Sequence, residues 1–271
     1  LQIKNIDKIY IPFKYFLLND YSSILTTITQ NFSTYIYFPT VMRNNYNNLV
    51  KNNIQNILET FDIKGFIISN IGNFELLKNY NDYEFICNYT FNIYNNLTIN
   101  ELNASTITLS PELNKSNIQS IKTNTKTELI VYGNQPLMNS NYCLLGKVNK
   151  CHSDCDKKCL SSNNYYLKDR LGFLFRITPD NIETVTTIYN SKITSIDHKD
   201  INVNSVRIDI LDESIAEINN IIDKVARSFG VSPEDIRSEK KKAEISNARQ
   251  AAMYIMREVT NLTFEEIGGQ F

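Results

Sequence analysis

Four of the five cysteines in this 271-residue chain fall between Cys143 and Cys159. Cys151, Cys155 and Cys159 are separated by three residues each, and Cys143 lies eight positions upstream of Cys151. Thiolates are soft ligands, and several on one loop can wrap a zinc ion or an iron–sulfur centre. The spacing is neither the Cys-x-x-Cys pair of a zinc ribbon nor a ferredoxin run. Two other readings therefore stay open: free buried thiols, and a disulfide formed in an oxidising compartment, against which the lack of a signal peptide argues. Lys147, Lys150, Lys157 and Lys158 would favour thiolates and offset the negative charge of a cluster. His152 could replace one ligand.

Hydrolytic constellations are thinly supplied. The chain holds only two histidines, His152 and His198, so a Ser-His-Asp or Cys-His arrangement needs one of them. His198 sits in a polar "DHKD" turn that reads as solvated. Asp169 and Arg170 in "YYLKDR", Glu112 in "SPELN" and Asp209 in "RIDI" are the charged groups best placed near a site, and each is equally suited to a salt bridge or a helix cap. Neither a Gly-x-Gly-x-x-Gly loop nor a P-loop occurs among the eight glycines.

The elements that would position these groups are short β-rich runs separated by helix-capable stretches. Candidate strands lie at 8–12, 34–39, 65–69, 84–88, 105–110, 128–133, 185–191 and 206–210. Between them, Asn44–Thr60 carries Leu49, Ile54, Ile57 and Leu58 at roughly helical spacing. Alternating strands and helices favour parallel βαβ units, and eight of them predict an α/β fold of the (β/α)8 barrel type, with a doubly wound open sheet as the alternative. The chemistry of such a barrel sits at the C-terminal ends of its strands. Those ends are rich in Asn and Tyr, as in "NYTFNIYNN" and "YGNQPLM", which suits a polar ligand.

A hydrophobic fraction of 42% and a net charge of −1 describe a globular protein with no electrostatic case for a nucleic-acid or membrane surface. No apolar run approaches a membrane span and the N-terminus has no signal-peptide pattern, so a cytoplasmic location is expected. The chain opens on Leu1 and stops on Phe271 after a Gly-Gly pair, as if excised from a longer one. A compositional seam lies near residue 222: residues 1–222 hold 35 Asn and 2 Ala, whereas 223–271 hold 2 Asn and 5 Ala. This predicts two unrelated sequences joined, with domains at 1–222 and 223–271. Across the junction, "DESIAEINNIIDKVARSFG" reads as one unbroken helix.

The runs "TLSPELN", "ELIVYGNQPLMNSNYC", "YYLKDRLGFLFRIT", "IYNSK" and "VRIDILDES", in that order, resemble the C-terminal half of the long collagenase-like peptidases, family U-thirty-two. The resemblance spreads over roughly residues 35–222. It implies a barrel-like domain acting on a protein substrate, or on RNA as hydroxylating relatives do. It also places an iron–sulfur cluster ahead of zinc at Cys143, Cys151, Cys155 and Cys159. Substrate contacts are expected at Asn134, Asp169, Arg170 and Asn190. The family's His-Gly-Ala segment is absent, Asn134 replaces an Arg, and Thr184-Val185 stands where the family carries a Cys-Arg pair.

The last fifty residues read as helices. Thr263 and Glu266 form a capping box, and a helix over Asn247–Val259 would bury Ala251, Ala252, Ile255, Met256 and Val259 on one face. The run "ISNARQAAMYIMREVTNLTFEEIG" resembles the C-terminal DNA-binding domain of the DnaA replication initiator. That implies a partial helix-turn-helix, ending before the base-reading helix, with backbone contacts from Lys240, Lys241, Lys242, Arg249 and Gln250. Residues 223–271 balance 8 Lys/Arg against 8 Asp/Glu, so attraction to DNA is expected to be weak and salt-sensitive. Three functions follow: a fragment of a peptidase-family or RNA-modifying enzyme, a DNA-binding module on an unrelated scaffold, or a chimera with no function of its own.

Overall fold

The structure, a computed structural model, describes residues 6–148, 165–195, 201–228 and 251–255. Its N-terminal part alternates strand and helix: β1 (Lys8–Pro12), α1 (Ser22–Asn31), β2 (Ser33–Tyr37), α2 (Asn44–Thr60), β3 (Ile63–Ile68), α3 (Gly72–Leu76), β4 (Glu84–Cys87), α4 (Asn96–Glu101), β5 (Thr106–Thr108), α5 (Lys115–Ser120) and β6 (Lys126–Ser140). β1 to β6 pair in chain order, all parallel. The molecule is thus mixed α/β, built on a curled parallel sheet, as the alternation of patterns predicts. α2 has the bounds expected from its periodicity, with Tyr46, Val50, Ile54 and Ile57 buried along one face.

Strand residues are buried on both sides, and the two sides differ in kind. Alternate residues Ile9, Ile11, Ile36, Phe66, Ile68 and Ile107 face outward into an apolar layer shared with Leu25 of α1 and Val50, Ile54 and Ile57 of α2. The intervening positions point inward, where Tyr10, Tyr35, Tyr37, Ile67 and Ile86 pack together. Period-two alternation therefore puts aliphatics under the helices and aromatic and polar groups inside the curl. Gly65 on β3 is required by its neighbour: a Cβ there would lie 2.1 Å from the backbone oxygen of Glu84.

Past Tyr132, β6 leaves the parallel sheet. After α6 (Leu144–Val148), strands β7 (Tyr165–Lys168), β8 (Leu174–Asp180) and β9 (Val185–Ser195) form an antiparallel extension in which β9 pairs with both β6 and β8. This corrects the expectation that 185–191 is a parallel barrel strand. Short connections dictate the change, because β8 and β9 are joined by only the four residues 181–184, too few for a parallel crossover. Position 184 carries strain: Thr184 has φ +56°, in the left-handed region that β-branched residues avoid.

β10 (Ser205–Ile210) returns to pair in parallel with β6, and α7 (Ile215–Ser228) follows. Ile218, Ile221 and Ile222 of α7 pack on Val206, Ile208 and Ile210 of β10 and on Leu129 and Val131 of β6. The junction is therefore helical as expected, and its helix is part of the core. The final described element, β11 (Ala251–Ile255), lies between β10 and β1, parallel to both. That corrects the helix expected over Asn247–Val259 for these five residues. Two strand edges offer β11 backbone partners on both sides, and that tertiary opportunity outweighs the helix propensity of the alanines.

Candidate functional site

The inward faces of β10, β6 and β1 bring together an ionic cluster. Arg207 of β10 is 1% exposed. Its Nε and Nη2 donate to the two carboxylate oxygens of Asp209 at 2.5 and 3.0 Å. Nη1 donates to Oδ1 of Asn88 at 2.8 Å and lies 3.9 Å from Oε1 of Glu128. Glu128, fully buried at the start of β6, also accepts from the Tyr10 hydroxyl at 2.6 Å and from Thr108 Oγ1 at 2.8 Å. Asn88 extends the network by donating to the Tyr37 hydroxyl and to Ser69 Oγ. The guanidinium lies 5.9 Å from the ring centroids of Tyr10 and Tyr89.

Burial and charge act against each other in this cluster. Desolvation opposes the Arg207 charge, but the Asp209 and Glu128 carboxylates outweigh it and raise its pKa. Burial is the largest influence on Asp209 and raises its pKa, although Arg207 pulls it down. Burial next to Glu128 raises the Tyr10 hydroxyl well above the usual phenol range, so it remains a hydrogen-bond donor. The cluster thus holds fixed donors around carboxylates instead of a mobile base.

Above it lies a cleft of about 890 Å³, including its open mouth. Pro12, Tyr37, Tyr89, Arg207 and Asp209 line its floor at the parallel strands, and Asn134 lines it from β6 where that strand turns to pair with β9. Pro136, Thr178, Asp180, Thr187 and Tyr189 of the antiparallel extension line its other wall. Gly133 lets the two meet: at φ +135°, a Cβ there would lie 2.7 Å from both Cβ and the backbone oxygen of Asp209. The extension is pinned from behind by Glu183, whose Oε1 accepts from the backbone N–H groups of Arg43 and Tyr46 at the start of α2. Such a cleft, with tyrosine walls and paired charges in its floor, can hold a polar ligand by hydrogen bonds and ring contacts.

Of the residues expected at a substrate site, Asn134 lines this cleft and donates from Nδ2 to the backbone oxygen of Asn190 at 2.9 Å. Asn190 thus supports Asn134 from β9, while its own side chain accepts from the Lys192 N–H. Asp169 and Arg170 sit in the β7–β8 turn, where Asp169 Oδ1 accepts from Leu171 N and Phe173 N. They are exposed and not among the cleft residues. Glu112 accepts from the Tyr94 hydroxyl at an exposed position. Arg207, Glu128 and Tyr10 were missed. The signal was there in part, since Arg207 and Glu128 interrupt aliphatic strands at the parity opposite to Val206, Ile208, Leu129 and Val131.

Cys143 is partly buried, packs against Leu145, Ile177 and Ile188, and accepts from the Gly146 N–H at 3.3 Å. Cys151, Cys155, Cys159, His152 and His198 lie outside the described residues, as do Lys240, Lys241, Lys242, Arg249 and Gln250. Among the described residues, no helix is long and apolar enough to cross a membrane.

Residues 218–271 match the family model described as the bacterial DnaA protein helix-turn-helix. Chromosomal replication initiator protein DnaA from Crocosphaera subtropica is 36% identical over 112 residues, covering 35% of this chain and 25% of that protein. Its counterpart from Thermodesulfovibrio yellowstonii is 49% identical over 47 residues, covering 17% of this chain and 11% of that protein. The counterpart from Trichormus variabilis is 45% identical over 51 residues, or 19% and 11%. The chain spans about a quarter or less of the length of these relatives. No solved structure matches. The initiator resemblance of the C-terminal segment is borne out, whereas the collagenase-like peptidase resemblance of residues 35–222 finds no support in these comparisons.

Proposed function

We propose that the chain contacts duplex DNA through its DnaA-type segment, residues 223–271, carried on the barrel-like α/β body of residues 1–222. The match of residues 218–271 to a helix-turn-helix family carries this reading. Lys240, Lys241 and Lys242, with Arg249 and Gln250, are its candidate phosphate-backbone contacts. With 8 basic and 8 acidic residues in the segment, binding is expected to be weak and steeply salt-dependent. Fluorescence anisotropy with a labelled duplex should show binding at about 50 mM salt that falls at least tenfold by about 200 mM. Charge reversal at Lys240–Lys242 should abolish it. Failure to bind at the lower salt would sink the reading.

A second reading keeps the body as the remnant of a peptidase-family or RNA-modifying enzyme, and the Arg207–Asp209 pair in the floor of the cleft favours it. The body is then a (β/α)8-type barrel with β1–β6 and β10 as its own strands, and β11 of the C-terminal segment fills the place between β10 and β1. Asn134, Asn190, Asp169 and Arg170 are its candidate substrate groups, and the thiolates of Cys143, Cys151, Cys155 and Cys159 would hold an iron–sulfur cluster or zinc. Iron, sulfide and zinc analysis after anaerobic purification tests the thiolate site. A stoichiometric centre that is lost in Cys143→Ser supports it, and sub-stoichiometric metal in every preparation retires it.

A further inference from the structure

β11 is paired on both sides: Ala252, Met253 and Tyr254 are in register with Lys8, Ile9 and Tyr10 of β1, and Ala251 to Ile255 with Val206 to Ile210 of β10. β1 has β2 as its other neighbour, and β10 has β6. Between them β1 and β10 therefore present two facing edges whose backbone groups need a strand, and an unfilled gap would leave them to water. The occupant is residues 251–255 of this same chain, which fall inside the 218–271 segment matched to a helix-turn-helix. A peptide segment cannot give its N–H groups to flanking strands and to an i→i−4 ladder at once.

We infer that the facing edges of β1 and β10 form a slot for a parallel strand, and that residues 251–255 exchange between this slot and the DNA-binding helix, so that slot occupancy holds the chain out of its DNA-binding state. The inference rests on the DNA-binding reading for its second half only. Ile218, Ile221 and Ile222 of α7 stay docked on β6 and β10, which tethers the exchanging segment beside the slot at high effective concentration. DNA affinity is then reduced by the fraction of chains whose segment is paired.

The test is NMR on the full chain labelled with 13C-alanine, reading Cα and Cβ shifts of Ala251 and Ala252. Free chain should give strand-like shifts, which move to helical values as a duplex bearing an initiator box is added at low salt. Helical shifts in the free chain overturn the slot. Strand-like shifts that persist while the duplex binds overturn the exchange. Strand-like shifts without any duplex binding defeat the DNA-binding reading and leave the slot supported. Met253→Val changes a position off the helix's expected apolar face and favours strand over helix, so it should weaken duplex affinity about threefold. Unchanged or tighter binding by that variant counts against exchange.

Discussion

Arg207 is a buried cation held by Asp209, Asn88 and Glu128. It neutralises Asp209 directly and lies near Glu128, so Arg207→Met would leave buried carboxylates uncompensated. The expected loss is about 3–5 kcal/mol in urea unfolding, and Arg207→Lys should recover little of it because an ammonium cannot make the two-pronged contact. Asp209 makes the stability pH-dependent. Its folded pKa is raised, chiefly by burial, so the native state holds the proton more tightly than the unfolded chain does. That contribution is complete below the ordinary aspartate pKa and is lost as pH rises through the raised folded value. Urea midpoints measured across that window should fall with rising pH in the parent and lose this part of the slope in Asp209→Asn. Asp209 stood among the charged groups expected near a site, but Arg207 was not conspicuous by type, since a lone Arg in "VRIDI" is equally a surface residue. Only the parity of the strand marks it as inward.

At the scale of elements, the cleft depends on how the antiparallel extension is attached. α2 has no side-chain cap of its own at Arg43, and Glu183 from the β8–β9 connection accepts from the first backbone donors instead. Glu183 is 4% exposed, so Glu183→Ala leaves two N–H groups without their acceptor and should cost about 2 kcal/mol, measured by thermal or urea unfolding. The same variant should loosen the wall that holds Asp180, whose Oδ2 accepts from the Tyr46 hydroxyl at 2.7 Å. α2 was legible because its apolar residues repeat at 3.6. The role of Glu183 was not, since a cap separated by about 140 positions leaves no local pattern. β9 was legible as a strand but not in its direction, which neighbouring strands decide.

For the whole molecule, the seam in composition falls inside a single helix. Composition changes near residue 222, in the middle of α7, yet that helix is packed as one piece with Val225 beside Ile218, Ile221 and Ile222. Two independent domains would tolerate a cut at that point. A continuous core would not, and a chain ending at Ile222 should unfold at lower urea than the full chain, by about 2 kcal/mol or more for the lost half of α7 and the strand that joins β1 to β10. Equal midpoints would restore the picture of two separable units.

By itself, the sequence determined what is local and periodic. The alternation of strands with helices, the bounds of α2, the continuity of the junction helix and the initiator character of the C-terminal segment all lie in short-range patterns or in residue order. Tertiary structure alone decided which strands turn antiparallel, which polar groups meet in the floor of the cleft, and that Ala251–Ile255 pairs as a strand. These are long-range pairings. Their free energy comes from partners distant in sequence, such as Arg207 with Asn88, and Tyr10 with Glu128, and no local propensity reports it.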